Sequence, residues 1–561
     1  MIIIVEFFTM KNFNFYGLLG VLILLNFTSA MAQQEWGDGE IQDVEIEIVE
    51  DRQITLPKAN RLFQKIPPRP VEPVKPEINY SFKAFNFSLP ELSPAIRPLR
   101  LKAEEPVQSF RGYISGGYGN YASPYLEAFV TSKEDKKKLV GAHAILNKSG
   151  KGPVDGKNSA SGIMGISAFA QTFSKDISFN GKIGLENRST HFYGYPEGLD
   201  VSRDTIEQAY TFFNLGLGIA NAANADFSYQ LGGAFSYVND KFKAAESTVG
   251  FDFRSAYKIS EKQSLHLGAD YSIISRKDEG VDAKPRNLFQ VNGYYSFYAI
   301  ENLKLQVGAT VAFENDTLDS KSFHFYPDVK ATYPLNESVD VVGSLTGGME
   351  KVSLQSLANE NLWLAPAVAL YHTNKIFDLK AGLRAKLGGK VLAGAGISFA
   401  SLKNLYFFVN DPDDPAKFQV AYDDGSTERT NFYASLLYTH STIAKVSLQG
   451  DYFAYSTDNI AEAYHRPGYR VTLGASYNLF QKFIFNLDVI GQGNVKAFNP
   501  ETLTTVKLDP AFDLNFRTEY LVSDTFSAFV DLNNITSNKY PVFLNYPVRG
   551  FQAMVGVTWK F

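Results

Sequence analysis

The stretch that decides the fold is Phe551 to Phe561, FQAMVGVTWKF. Every second residue gives an apolar row, Phe551, Ala553, Val555, Val557, Trp559 and Phe561. Between them lies a smaller, more polar row, Gln552, Met554, Gly556, Thr558 and Lys560. Successive side chains of a β-strand point to opposite faces, so this is the period of a strand with two unlike environments. In water, a strand carrying exposed Trp559 and Phe561 invites edge-to-edge aggregation. In a membrane β-barrel the same rings sit in the aromatic girdle at the lipid interface. The competing reading is a buried edge strand of a soluble sandwich.

Working back from this stretch, the alternation recurs. In 512–520, Phe512, Leu514, Phe516 and Tyr520 oppose Asp513, Asn515, Arg517 and Glu519. In 377–388, Phe377, Leu379, Ala381, Leu383 and Leu387 oppose Asp378, Lys380, Arg384 and Lys386, which points to a wet lumen on the second face. From 110–118 and 124–132 onward, about 22 such segments follow one another, each long enough for a tilted membrane strand. The connections alternate as well. Turns such as Ser174-Lys175, Gly389-Lys390 and Phe480-Gln481 follow even-numbered strands, and long loops read as polar (189–206, 350–376, 403–428, 495–511, 534–550) follow most odd-numbered ones. That asymmetry predicts an all-β fold, a transmembrane antiparallel β-barrel with both termini in the periplasm. The connection 119–123 is short for an outer loop, and Ser132 to Lys138 is long for an inner turn. A soluble propeller would show a repeat of about 40 residues, which is absent.

Composition agrees. A closed sheet adds strands without enlarging one dry core, so 561 residues need not mean several soluble domains. No run after residue 32 is apolar and long enough for a membrane helix. The 31 Tyr and 45 Phe suffice for two rim girdles. A net charge of −5 gives no footprint for nucleic acid, and the absence of cysteine removes disulfides, a thiol nucleophile and a lipid-anchor site.

The N-terminal part differs. Lys11, an apolar run from Tyr16 to Leu25, and Ala30 and Ala32 ahead of Gln33 predict a secretory signal peptide over 1–32, with Met10 as the expected start. Residues 33–109 are proline-rich, which favours extended polyproline conformation. Within them Ile78, Tyr80 and Phe82, then Phe85 and Phe87, repeat at every second position. A solvated linker does not ordinarily carry so many aromatics, so this segment is expected to be a strap, periplasmic or docked in the lumen of the barrel over 110–561.

Chemistry-bearing constellations are sparse. The seven histidines show no HExxH and no metal-ligand spacing, and read as strand or loop surface. Asp411, Asp413 and Asp414 gather hard oxygen ligands suited to calcium, but Pro412 and Pro415 also fit an ordinary turn. No nucleophile and base are marked as a pair, so neither enzyme nor cofactor is expected.

The alternating C-terminal strand with Phe551, Val555, Val557, Trp559 and Phe561 resembles the signature by which the barrel assembly machinery recognises outer-membrane barrels. The segment YISGGYGNYASPYLEAFV (113–130), LNNITSNKY (532–540) and YPVRGFQAMVGVTWKF (546–561) resemble the opening and closing strands of TonB-dependent receptors, with Arg549-Gly550 in reversed order. The strand count matches the 22 of plugged outer-membrane transporters. The resemblance implies an outer-membrane location in contact with lipid, and receptor-type uptake. It departs in one respect: about 77 residues stand where the family carries a far larger plug. An energy-coupling box sought at Glu45 to Val49 is followed by Glu50, Asp51 and Arg52 instead of small residues. The second expectation is a plugless barrel serving an envelope complex as a structural or assembly partner, with a periplasmic or surface lipoprotein beside it.

Overall fold

The computed structural model describes residues 110–132, 137–174, 176–196, 198–221, 226–280, 284–316 and 322–561. The expected signal peptide and the strap residues Ile78, Tyr80, Phe82, Phe85 and Phe87 lie outside them.

One antiparallel sheet of 22 strands runs through the described residues in sequence order. The first strand, Gly112–Gly119, pairs with Ser123–Thr131 on one side and with the last, Gln552–Lys560, on the other. Tyr113 faces Lys560 and Gly119 faces Met554, so the sheet closes on itself. Closure satisfies every strand edge, a condition for backbone to lie in lipid. Across the seam Ser115 Oγ and Thr558 Oγ1 are 2.9 Å apart and buried. Gly556 is required there, because a Cβ would stand 2.4 Å from the Gly116 carbonyl oxygen and 2.3 Å from the Phe529 ring.

Every strand expected from alternation is present, with shifted ends; the expected 377–388 runs Thr373–Leu387. Strands lengthen because cross-strand bonds continue past the apolar alternation into the loop bases, as where Asn374 pairs with Lys403. The apolar rows face outward. Val555 is 61% and Trp559 51% exposed, and Phe551, Val557 and Phe561 lie in the same row. Met164 and Ile166, Leu265 and Leu267, Phe323 and Phe325, and Leu379 and Leu383 continue it around the ring. An apolar belt of this extent needs a lipid partner. Among the described residues no helix is long and apolar enough to cross a membrane.

The inward rows are polar and cross-linked. Lys380 lies 3.4 Å from Asp378, Arg384 2.9 Å from Asp340, and Arg254 2.7 Å from Asp270. Glu127 accepts from the Tyr113 hydroxyl at 2.7 Å and lies 3.0 Å from His143 Nε2.

The long loops correct the expectation of polarity. Their apolar residues form the main buried cluster among the described residues, including Phe192, Tyr193, Leu357, Trp363, Phe418, Phe543 and Tyr546. These side chains could not lie in water, so the loops fold onto one another.

Candidate functional site

The site is the cap that these loops build. Its centre is the loop 351–372, between the thirteenth strand, Val339–Glu350, and the fourteenth, Thr373–Leu387. Ser353 and Ser356 form a reciprocal capping box that starts the helix α1, Leu354–Glu360, and the buried Glu246 carboxylate accepts from the Leu354 amide at 2.9 Å. Leu354, Leu357 and Ala358 make the buried face of α1. Beyond it the Asn361 side chain accepts from the Trp363 amide at 2.8 Å and orients that residue.

Trp363 is the keystone. It is buried and donates its indole N–H to the His191 carbonyl at 2.9 Å. Its ring centroid lies 4.2 Å from that of Tyr546, 5.7 Å from Tyr193 and 5.9 Å from Phe543. The hairpin Tyr406–Asn410 with Phe418–Tyr422 is sewn to it: the Phe418 amide donates to the Trp363 carbonyl at 2.9 Å, and Ala365 to the Phe418 carbonyl at 2.8 Å. Gly194 makes room for Tyr546, whose ring would stand 2.5 Å from any Cβ there. The Tyr546 hydroxyl donates to the Ala416 carbonyl, and that of Tyr193 to the Pro547 carbonyl at 3.3 Å.

The position of this contact follows from strand order. Tyr193, Trp363 and Tyr546 lie in the loops after the fifth, thirteenth and twenty-first strands of a closed ring of 22. Those loops rise from three nearly evenly spaced points on the rim, and such points meet only over its middle. The cap therefore lies across the mouth.

Buried polar groups fasten the cap to the wall. Arg286 holds Asp316 at 2.7 and 3.1 Å, the Val352 carbonyl at 3.0 Å and His372 Nδ1 at 2.9 Å. The Val352 amide also donates to Nδ1, at 3.1 Å, so that nitrogen accepts and the imidazole is held neutral. Burial first, then the Arg286 charge, pushes His372 down to about 4. Burial would raise Asp316, but hydrogen bonds from Arg286 and the His372 amide, with the Arg286 charge, outweigh it and hold the carboxyl below its ordinary value. His465 bridges two loops, its Nδ1 2.7 Å from the Phe408 carbonyl and its Nε2 accepting from the Leu544 amide at 3.2 Å. Burial pushes it down to about 4 as well.

Two sequence expectations meet this geometry. The histidines do not all lie at the surface: His191 and His372 are buried because their imidazoles satisfy backbone or arginine partners inside the cap. Asp411, Asp413 and Asp414 lie in the hairpin turn. Asp411 Oδ1 accepts from the Asp413 and Asp414 amides at 2.9 and 3.3 Å, and Asp414 pairs with Lys417 at 2.9 Å. Among the described residues no group of three or more His, Asp or Glu side chains is arranged to hold a metal. From the sequence, Trp363 and Tyr193 carried no role and Tyr546 stood only in the closing-strand motif, although clusters such as Leu362-Trp363-Leu364 in a loop read as polar are a visible signal. The closing-strand motif is explained: Asn534 Nδ2 donates to the Asn538 and Arg549 carbonyls at 2.8 Å each, and Tyr540 donates to Asp513 at 3.0 Å.

No protein-family model and no curated protein matches the chain. Solved structures do. The ferric-catecholate import receptor Fiu of E. coli K12 is similar with a TM-score of 0.60 at 9% identity, over 82% of each chain. The FrpB iron transporter of Neisseria meningitidis gives 0.62 at 12%, over 81% of this chain and 82% of that one. The outer-membrane ferripyoverdine receptor of Pseudomonas aeruginosa, solved with ferripyoverdine, gives 0.56 at 14%, over 82% and 72%. At such identities the likeness is one of architecture: residues 110–561 have the barrel fold of the TonB-dependent siderophore receptors.

Proposed function

We propose that the chain is an outer-membrane barrel that takes up a solute through its lumen, with the loop cap as its outer gate. The observation that carries this is the meeting of Tyr193, Trp363 and Tyr546 over the mouth of a closed 22-stranded ring. A barrel of this size left open would pass solutes freely, and a cap held by buried rings and hydrogen bonds is a closure that can also be released. The outward apolar belt supports a membrane location. The named structures include two iron importers and a receptor holding its ferric ligand, which supports uptake of a solute too bulky for simple pores. None of the three is a scaffold of an envelope complex, so the second expectation gains nothing from them. The test is uptake in cells producing the chain with Cys introduced at Tyr193 and Tyr546. Oxidation should lock the cap and stop uptake, and reduction should restore it. Uptake unaffected by the cross-link would refute the gate.

A further inference from the structure

One ladder of the wall is unlike the others. Among the described residues it alone joins barrel strands that are not neighbours in sequence, the first and the last. The first strand brings to it the segment GYISGGYG, with glycine at Gly112, Gly116, Gly117 and Gly119. Glycine inside a strand weakens it, because it has no side chain to pack and more freedom to lose. The ladder that closes the ring therefore rests on a poor strand. On the lumen side that deficit is covered. Tyr118, Val555 and Val557 are exposed outward, so alternation turns Gly117 and Gly556 inward, and these two stand directly opposite each other. Bare backbone spans the seam there. The same cross-strand row continues with Phe529 beside Gly556 and Tyr125 beside Gly117. Phe529 belongs to the twenty-first strand, Phe526–Asn533, and is buried. Its ring occupies the hollow: a Cβ on Gly556 would stand 2.3 Å from the Phe529 Cζ, and one on Gly117 3.2 Å from it. Neighbouring strands lie about 4.8 Å apart, so this one side chain crosses the last strand and reaches the first. Beyond the seam it meets Tyr125 edge to face, with centroids 6.4 Å apart and planes at 89°. Both ends are fixed. Arg517 of the twentieth strand, Ala511–Leu521, lies 4.0 Å from the Phe529 ring centroid and 3.6 Å from Asp531. The Tyr125 hydroxyl donates to the buried Glu127, which lies 3.0 Å from His143 Nε2 on the third strand, Lys138–Ser149. Packing and hydrogen bonds thus run without a break from the twentieth strand to the third. Phe169 over Gly141 is the useful comparison, with the ring 2.4 Å from a Cβ there, but it joins the third and fourth strands, which follow one another in sequence.

We propose that Phe529 is the latch of the barrel: its ring, seated across Gly556 and Gly117 against Tyr125, holds the last strand to the first, and the wall parts at this seam when the ring is withdrawn. An aromatic ring laid over strand glycines restores the packing that they forfeit. Gly117 and Gly556 admit the ring, and Arg517 keeps it down. Closure is then a packing event on the lumen face as well as a set of backbone bonds. The latch is independent of the loop cap and of any solute.

The test is the rate at which the full chain in detergent loses its folded, heat-modifiable form in urea. Phe529→Ala should lose it about a hundredfold faster, the effect expected for removing a buried ring. Phe529→Leu fills the hollow without spanning it and should be about tenfold faster, so the seam can be read even where the alanine variant does not assemble. Two cross-links then separate a latch from ordinary core packing. Ser115→Cys with Thr558→Cys replaces hydroxyl oxygens 2.9 Å apart across the seam, and Ser123→Cys with Ser149→Cys replaces a pair at the same spacing between the second and third strands. Once oxidised, the seam pair should bring the Phe529 variants to the rate of the cross-linked parent, and the other pair should leave their defect in place. The seam pair should likewise leave the defect of Phe169→Ala uncorrected. Phe529 variants that unfold at the parental rate, a defect that the seam cross-link does not remove, or equal rescue by both cross-links would overturn the latch.

Discussion

Replacing Trp363 by alanine removes the keystone without touching a single strand register. The indole is buried, packs on Tyr193, Phe543 and Tyr546, and holds the His191 carbonyl at 2.9 Å. Truncating a buried Trp costs about 3–5 kcal/mol where surroundings relax only in part, and here the rings around it come from two other loops, Tyr193 from one and Phe543 and Tyr546 from the other, each with the barrel rim at its base. With a factor of ten for each 1.4 kcal/mol, the open fraction of the cap should rise by about two to three and a half powers of ten. Trypsin cleavage after Lys417 in the detergent-solubilised protein reads this directly, because cutting follows the population of opened loops when opening is fast. Lys417 is tied into the cap by its pair with Asp414 and by lying 5.4 Å above the Phe192 ring. Trp363→Phe keeps most of the packing but loses the indole N–H, and should accelerate cleavage by several-fold only, for about 1 kcal/mol. Heat-modifiable mobility should be unchanged in both. An alanine variant that assembles and is cut at the parental rate would show that the rings do not hold the cap shut.

Deleting Trp559 to Phe561 should abolish assembly, since it removes the bonds of Arg111 and Gly112 to the Phe561 carbonyl and the Ile114 to Trp559 pairing; normal heat-modifiable migration of the truncated chain would contradict this. In a chain without native cysteine, Asp413→Cys should be labelled on intact cells and Lys390→Cys should not, because the two exposed positions lie at opposite ends of the barrel; labelling at 390 alone would reverse the threading. Closure should weaken in acid. Above about pH 6.5 neither the closed nor the opened cap binds a proton at His372, whereas between 6.5 and about 4 only the opened one does, so stability falls by up to about 3 kcal/mol across that window. Acrylamide quenching of the buried Trp363 indole between pH 7 and 4 reads it, and His372→Gln should remove the His372 share of the profile and leave that of His465, which burial also pushes down to about 4. Removing residues 33–105 behind an intact signal peptide should leave an assembled barrel with raised conductance in bilayers; unchanged closure would assign the whole seal to the loops.

The strands were legible because each residue's environment repeats locally. Leu379, Leu383 and Leu387 meet lipid and Asp378 meets the lumen, and the period of two records both without reference to any distant residue. The short turns were legible for the same reason. The cap was not, because no period links Tyr193, Trp363 and Tyr546. What unites them is a convergence of loops rooted far apart on the ring, a property of closure. The buried state of His372 was hidden likewise, since its partners Arg286, Asp316 and Val352 come from three different loop bases. The available clue was the apolar content of 350–376, with Leu362, Trp363 and Leu364 in a row.

The seam and the keystone together impose an order on biogenesis. Ser115 and Thr558 meet across 443 positions of chain, and Tyr193 and Pro547 across 354. Contacts of such separation form late, after the intervening polymer has been organised. The loop bearing Tyr546 reaches its place only once its flanking strands have joined the first strand, so cap burial cannot precede ring closure. A chain stalled as an open sheet would display Trp363, Tyr193 and Phe543 to solvent. Such exposed apolar rings would leave an unfinished barrel prone to aggregation and proteolysis.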